Sequence, residues 1–268
     1  MPRTVGMPHL HVTLRWKESL GPADSPRLRD LWVRLRCSAG EVVAAVVLPD
    51  RLELVQHVDG TSASLEWLST VAVRAGLVAA RAEPSYVRDD DVVAVRHVLG
   101  EVITRPSCLG VVDDPLVWPW STARDVLGAV VDPWVGVERS CVDVVARTGR
   151  PRAADPSDTP SLPIGEVLRA AAAATRRPVA AVRRPGPTRR LFVGLAHRHG
   201  WWMPRQLASI CGVARRTLYS QLERVPASWL RAGDLCLGDH RLRTIVLASP
   251  AGRPLPLPVI GGPACSSP

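Results

Sequence analysis

Alternation and helical spacing divide the first half of the chain into seven elements. Residues 9–16 (HLHVTLRW) alternate apolar with polar and carry β-branched side chains, which predicts a strand. Residues 25–38 (SPRLRDLWVRLRCS) open with a Ser cap before Pro and run amphipathically, which predicts a helix. Residues 41–48 (EVVAAVVL) form a strand too apolar to face water on both sides, and Pro49-Asp50 makes a tight turn. Residues 51–58 (RLELVQHV) alternate again, with Leu52, Leu54 and Gln56 on one face and Arg51, Glu53 and Val55 on the other. A helix over 62–78 ends near Gly76, and Tyr86-Val87 reads as a short strand. Asp89, Asp90 and Asp91 favour a helix N-terminus through the macrodipole, and that helix should stop near Thr104, before Pro106. This order, with a hairpin at its middle, predicts an α+β sandwich of ferredoxin type.

The second half has a helical period. Residues 139–164 are rich in Pro, Ser and Asp and read as a linker. Residues 165–175 (GEVLRAAAAAT) predict a short helix, followed by six arginines between 176 and 190. Leu191, Leu195 and Ala196 recur at helical spacing. Pro204 suits the start of a second helix carrying Leu207, Ala208 and Ile210, and Gly212 suits a sharp helix-ending turn that Val213 plugs. Ala214 to Arg224 predicts a third helix with Leu218 and Leu222 inward. The small Ala208, four positions before the glycine, permits a close helix crossing, so 189–224 reads as a helix-turn-helix. The chain thus divides into an α+β domain (1–138), a linker (139–164), a small all-α helix-turn-helix domain (165–226) and a C-terminal extension (227–268) that should be disordered after about 249.

Charge sharpens this division. Residues 1–150 hold 17 Arg plus Lys against 19 Asp plus Glu, whereas 151–268 hold 17 against 6. The basic half is the helix-turn-helix half, the footprint of a DNA-binding module. Arg183, Arg184, Arg189, Arg190 and Arg205 are candidate phosphate contacts, and Arg215, Arg216, Thr217 and Tyr219 on the third helix are candidate base or phosphate contacts. The chain is 46% hydrophobic, which excludes wholesale disorder, and no apolar run is long enough to span a membrane. The first residues lack the apolar core of a signal peptide. Six cysteines without a CxxC pair point to free thiols in a reducing cytoplasm rather than a zinc site. Lys17 is the sole lysine, and with the many Ala, Val and Pro residues this suggests a GC-rich bacterial genome.

Four segments, in order, carry a resemblance: HVTLRW (11–16), VVAAVVLPDRLELV (42–55), EVITRPSCLGVVDDP (101–115) and VWPWSTARDVLGAVVDPWV (117–135). Together they resemble the REP-associated branch of the single-tyrosine HUH transposases, over about residues 8–138. The resemblance implies a DNA strand transferase in which two hairpin histidines hold Mg²⁺ or Mn²⁺ and a helix tyrosine attacks a phosphate. Those histidine positions fall on Arg51 and Glu53, the tyrosine position on Glu101, and the turn Asn on Asp50. Arg offers no lone pair to a metal and Glu is no phenolic nucleophile. No catalytic residue and no metal ligand is therefore assigned, and a catalytically degenerate member without cofactor is expected. His9 and His11 spell a literal His-Leu-His, but on the first strand; His197 and His199 read as polar positions near a helix end. The C-terminal module resembles the DNA-binding domain of the bacterial replication initiator, though Ala214, Arg215, Arg216 and Thr217 stand where that family has its Asp-His-Thr signature.

Three functions follow from these features. The first is a non-cleaving DNA-binding protein that recognises hairpin, repeat or duplex DNA. The second is an active transposase with atypical residues. The third is a transcription regulator whose N-terminal domain forms a homodimer. For the altered site, Arg51 is expected to lie between Glu53 and Glu101 in place of the metal's charge. The alternatives are Mg²⁺ held by Glu53, Glu101 and Asp50, or a site opened to water.

Overall fold

The computed structural model describes residues 9–21, 25–38, 41–57, 63–88, 90–136, 162–201, 203–222 and 225–243. Two compact units emerge, a sheet unit through Leu127 that resumes at Trp134, and a helical unit that takes Gly128–Pro133 and the helices beyond residue 161.

The sheet unit runs β1 (His9–Trp16), α1 (Ser25–Ser38), β2 (Val42–Val47), β3 (Arg51–His57), α2 (Ala63–Arg74), β4 (Ala79–Val87) and α3 (Val92–Cys108). Its four strands lie in the order β2-β3-β1-β4, with antiparallel pairing throughout. The fold class is α+β. Leu10, Val12, Leu14, Leu52 and Leu54 are at most 1% exposed, so their face of the sheet must be covered. Helix α3 contacts β2 and β3 and reaches the opposite face. That leaves α1 and α2, whose Leu28, Leu31, Leu35, Leu68 and Ala72 are equally buried, to close the apolar side. Trp32 meets Trp134 edge to face with ring centroids 5.1 Å apart, a favoured aromatic geometry.

The outer edge of β2 is sealed by the Trp-Pro-Trp-Ser-Thr block. Val47 N–H donates to Trp120 O at 2.8 Å, and Trp118 Nε1 donates to Val47 O at 2.8 Å. Thr122 takes the Ala45 N–H on its hydroxyl at 2.9 Å and donates its own N–H to Ala45 O at 2.9 Å. An exposed edge would otherwise invite pairing with another chain.

Two elements differ from expectation. Helix α3 passes through Pro106 and ends at Cys108 rather than near Thr104. Proline removes one i→i−4 bond, but here the loss falls in the last turn, and Pro106 O accepts Val111 N–H at 2.8 Å beyond the helix. At its start Asp91 caps the helix by accepting the Ala94 N–H at 2.9 Å. The short strand expected at Tyr86-Val87 is a nine-residue strand, Ala79–Val87. Most of its residues are exposed, so no alternation of apolar residues announces it.

The helical unit holds α5 (Ile164–Ala174), a 3₁₀ turn (Val179–Arg183), α6 (Pro187–Arg198), α7 (Pro204–Cys211), α8 (Arg215–Leu222) and α9 (Ala227–Gly238), α4 being the short Ala123–Val126 of the sheet unit. Helix α9 packs on α5 and α6, so this unit continues past the boundary expected at 226. Small residues allow that approach: a Cβ on Gly233 would lie 2.6 Å from Leu195 Cδ1. Segment 128–133 is tied in by Val131 N–H to Ala174 O at 2.8 Å and by Cys236 Sγ to Ala129 O at 3.3 Å. The expected linker lies outside the described residues up to 161, and so does the C-terminal tail from 244. Among the described residues no helix is long and apolar enough to cross a membrane.

Candidate nucleic-acid interface and the charge cluster on the sheet

In the β1–β3 ladder Thr13 faces Glu53, His11 faces Val55 and Arg15 faces Arg51. Directly opposed residues share a face and side chains alternate, so His11, Thr13, Arg15, Arg51 and Glu53 all project to the side opposite the leucines. Helix α3 supplies Glu101 and, one turn on, Arg105. Glu53 is 1% exposed, a strongly disfavoured place for an unpaired carboxylate. Its Oε2 accepts from Arg105 Nε at 3.0 Å, and its Oε1 lies 3.7 Å from Arg51 Nη1. Arg105 also reaches Glu101 at 3.8 Å.

The expected arrangement with Arg51 between the two glutamates is therefore corrected. Arg105 bridges Glu53 and Glu101, while Arg51 turns to Asp50, whose Oδ2 it meets at 2.6 Å. Arg51 begins its strand at the Pro49-Asp50 turn, so the adjacent carboxylate is nearer than one on the helix. Burial works against the Arg51 charge, but the hydrogen bond to Asp50 and the charges of Asp50 and Glu53 prevail and hold the guanidinium more firmly protonated than usual. Glu101 also lies 3.6 Å from His97 on its own helix.

His11 Nε2 sits 4.0 Å from Glu53 Oε2, too far for a hydrogen bond, and is a buried nitrogen without one among the described residues. Burial lowers its pKa from the ordinary imidazole value. The Arg105 charge adds to that shift, and the Glu53 and Glu101 carboxylates oppose it. His9 instead meets His57 across the ladder, ring centroids 4.3 Å apart and planes tilted by 44°. The two histidines of the literal His-Leu-His thus have different partners.

The divalent metal implied by the family resemblance does not fit this cluster. Both Glu53 oxygens face guanidinium groups, and a dication there would meet two positive charges. Among the described residues no three His, Cys, Asp or Glu side chains converge as a ligand set. Nor does Tyr86, the tyrosine of the sheet unit, reach the cluster. Tyr86 pairs opposite Leu10, whereas Ser85 pairs opposite His11, so Tyr86 belongs to the other face of the sheet from Glu53. Tyr219 lies on α8 of the helical unit.

In that unit, α7 ends at Gly212, whose φ of 63° and ψ of 40° place it in the left-handed region that glycine tolerates best. Gly212 and Val213 donate back to Ser209 O and Ala208 O at 3.2 and 3.0 Å, and α8 begins at Arg215. Leu207, Ala208, Cys211 and Leu218 are buried between the helices. Burial raises the Cys211 thiol to about 11, against the opposing charge of Arg189. His199 closes α6 and meets Asp234 at 3.0 Å.

The candidate DNA contacts divide sharply. Arg183, Arg184, Arg205, Arg215, Arg216 and Tyr219 are exposed, and Arg190 and Thr217 are half-buried. Arg189 is the correction: it is 4% exposed, its Nε donates to Val182 O at 2.9 Å and its Nη2 donates to Arg183 O. It cannot also offer those donors to a phosphate. Arg177 and Arg231, not anticipated as contacts, are exposed as well. Three carboxylates of this unit are already held: Glu166 by Arg169 and Arg243, Asp234 by Arg198 and His199, Asp239 by Arg241. Hydrogen bonding from Arg169 lowers the pKa of Glu166. Burial opposes a similar lowering at Asp239, but the bonds from Arg241 prevail.

No family model matches the chain, and no curated protein does. A solved structure of a REP-associated tyrosine transposase bound to a REP hairpin is similar at a TM-score of 0.37, with 19% identity over 47% of this chain and 83% of that one.

Proposed function

We propose that this chain is a DNA-binding protein built on a single-tyrosine-transposase scaffold that no longer cuts DNA. One observation carries the reading. Among the described residues of the helical unit, Arg177, Arg183, Arg184, Arg190, Arg205, Arg215, Arg216 and Arg231 have no carboxylate partner, while Glu166, Asp234 and Asp239 are each ion-paired to other cations. Uncompensated arginine is costly self-repulsion in an isolated fold and is neutralised by a polyanion. The α7–Gly212–α8 corner supports a helix-turn-helix with α8 as recognition helix. The initiator-like order of helix, arginine-rich turn and helix pair agrees with it.

The β-α-β-β-α-β order and the β2-β3-β1-β4 sheet support the ferredoxin-like reading of the sheet unit, and the motifs at 11–16, 42–55, 101–115 and 117–135 support its transposase ancestry. Loss of cleavage rests on the Glu53–Arg105–Glu101 chain of charges where catalysis needs a cation and a phenol. The ligand class follows from the resemblance: hairpin or repeat DNA carrying a duplex stem.

The test is incubation of the full chain with labelled hairpin DNA and Mg²⁺ or Mn²⁺. Retarded but intact DNA is the expected result. A denaturant-resistant adduct lost on Tyr86→Phe or Tyr219→Phe would establish an active transferase instead. Selection of bound genomic fragments separates hairpin repeats, which this reading expects, from promoter half-sites, which indicate a transcription regulator.

A further inference from the structure

We infer that Arg189 is a positioning residue for DNA binding, an internal tie that holds the arginine-bearing turn against the helix pair so that both present one surface. The inference rests on the DNA-binding reading above.

The observation is a contrast between neighbours of identical charge. Arg190 is half-buried and carries no ion pair among the described residues, whereas Arg189 is buried and bonded to two successive backbone carbonyls, Val182 and Arg183, at the end of the 3₁₀ turn. Helical phase explains the difference. Arg189 lies three and seven residues before the buried Phe192 and Ala196, so it shares their inward face. A guanidinium is a planar fork that matches two adjacent acceptors, which a lysine ammonium cannot reproduce. The Arg189 charge also reaches Cys211 at the end of α7, and the turn itself contacts α7. One side chain therefore touches the turn carrying Arg183 and Arg184, belongs to α6, and lies beside the helix leading into the Gly212 corner. Those carbonyls are the last of a short 3₁₀ turn, opened by Ala181 N–H to Pro178 O at 2.8 Å and closed by Arg184 N–H to Ala181 O at 3.1 Å. Without the fork the turn loses its anchor, and Arg183 and Arg184 lose their fixed place against α7.

The test compares Arg189→Lys, the Arg183→Ala/Arg184→Ala pair and the triple variant in the full chain. The probe is a fluorescent duplex of mixed sequence titrated over a range of salt. Each phosphate contact contributes about 0.9 to the log–log slope. If Arg189 is a tie, Arg189→Lys lowers the slope by up to about 1.8, as the Arg183/Arg184 pair does, and adds nothing to that pair. A direct phosphate contact would be preserved by lysine, so an unchanged slope overturns the inference, as does an additive loss in the triple variant. Hydrogen exchange reads the tie without DNA. In Arg189→Lys, residues 179–186 should exchange faster while α5 and α9 stay protected, and unchanged exchange in the turn overturns the proposal. Wild-type protein that binds no duplex overturns the functional reading itself, a result distinct from the others.

Discussion

Arg105 Nε donates to Glu53 Oε2 at 3.0 Å, joining the last turn of α3 to the middle of β3 and meeting a carboxylate that is 1% exposed. This bond, rather than one from Arg51, holds the charge cluster together. Arg105→Ala should destabilise the sheet unit by roughly 2–3 kcal/mol, between the ~0–1 kcal/mol of an exposed pair and the ~3–5 kcal/mol of a fully buried one. Arg51→Ala should cost about 1 kcal/mol, because Asp50 is 33% exposed and Glu53 keeps its bond to Arg105. Urea unfolding of the full-length variants checks the order. A larger loss from Arg51→Ala would contradict the assignment.

Much of this site was legible in sequence. The alternation of 51–57 put Arg51 and Glu53 on one face, and the resemblance pointed to Glu101 as their companion. Arg105 was not legible, because which turn of a helix meets which residue of a strand depends on packing between elements far apart in the chain. Arg189 and Arg190 looked alike because charge was counted without helical phase, although the inward positions Phe192 and Ala196 carried that signal. Strand β4 was underestimated because pairing with β1, not its own exposed residues, imposes its length. Helix α9 was missed as part of the helical unit because three of its four buried positions, Ala232, Gly233 and Cys236, are small, with Leu237 the one large apolar residue among them.

The state of His11 gives the sheet unit a pH dependence. Its folded pKa lies below the ordinary value of about 6.5, so the unfolded chain takes up the proton first as pH falls. The stabilisation from neutral His11 is fully present above about pH 6.5 and declines progressively below it. His11→Gln should lack that decline. Urea midpoints of wild type and variant, followed from neutral to mildly acidic pH, check the sign. Parallel curves would show that His11 titrates normally.

On the helical unit, position within the surface should separate two kinds of arginine. Arg215→Ala or Arg216→Ala on α8 should relax sequence preference by about 1–3 kcal/mol where a bidentate base contact is lost. Arg183→Ala and Arg184→Ala should weaken binding to all sequences alike. Competition between selected and scrambled duplexes checks this. Uniform losses from both sets would place α8 on the backbone rather than in a groove.

The uncompensated arginines of the helical unit should bind DNA. The direct measurement is the affinity of the full chain for a labelled duplex as salt is raised. With roughly five phosphate contacts, the logarithm of affinity should fall linearly against the logarithm of salt with a slope near −4.5. No binding at low salt, or binding indifferent to salt, would contradict the account.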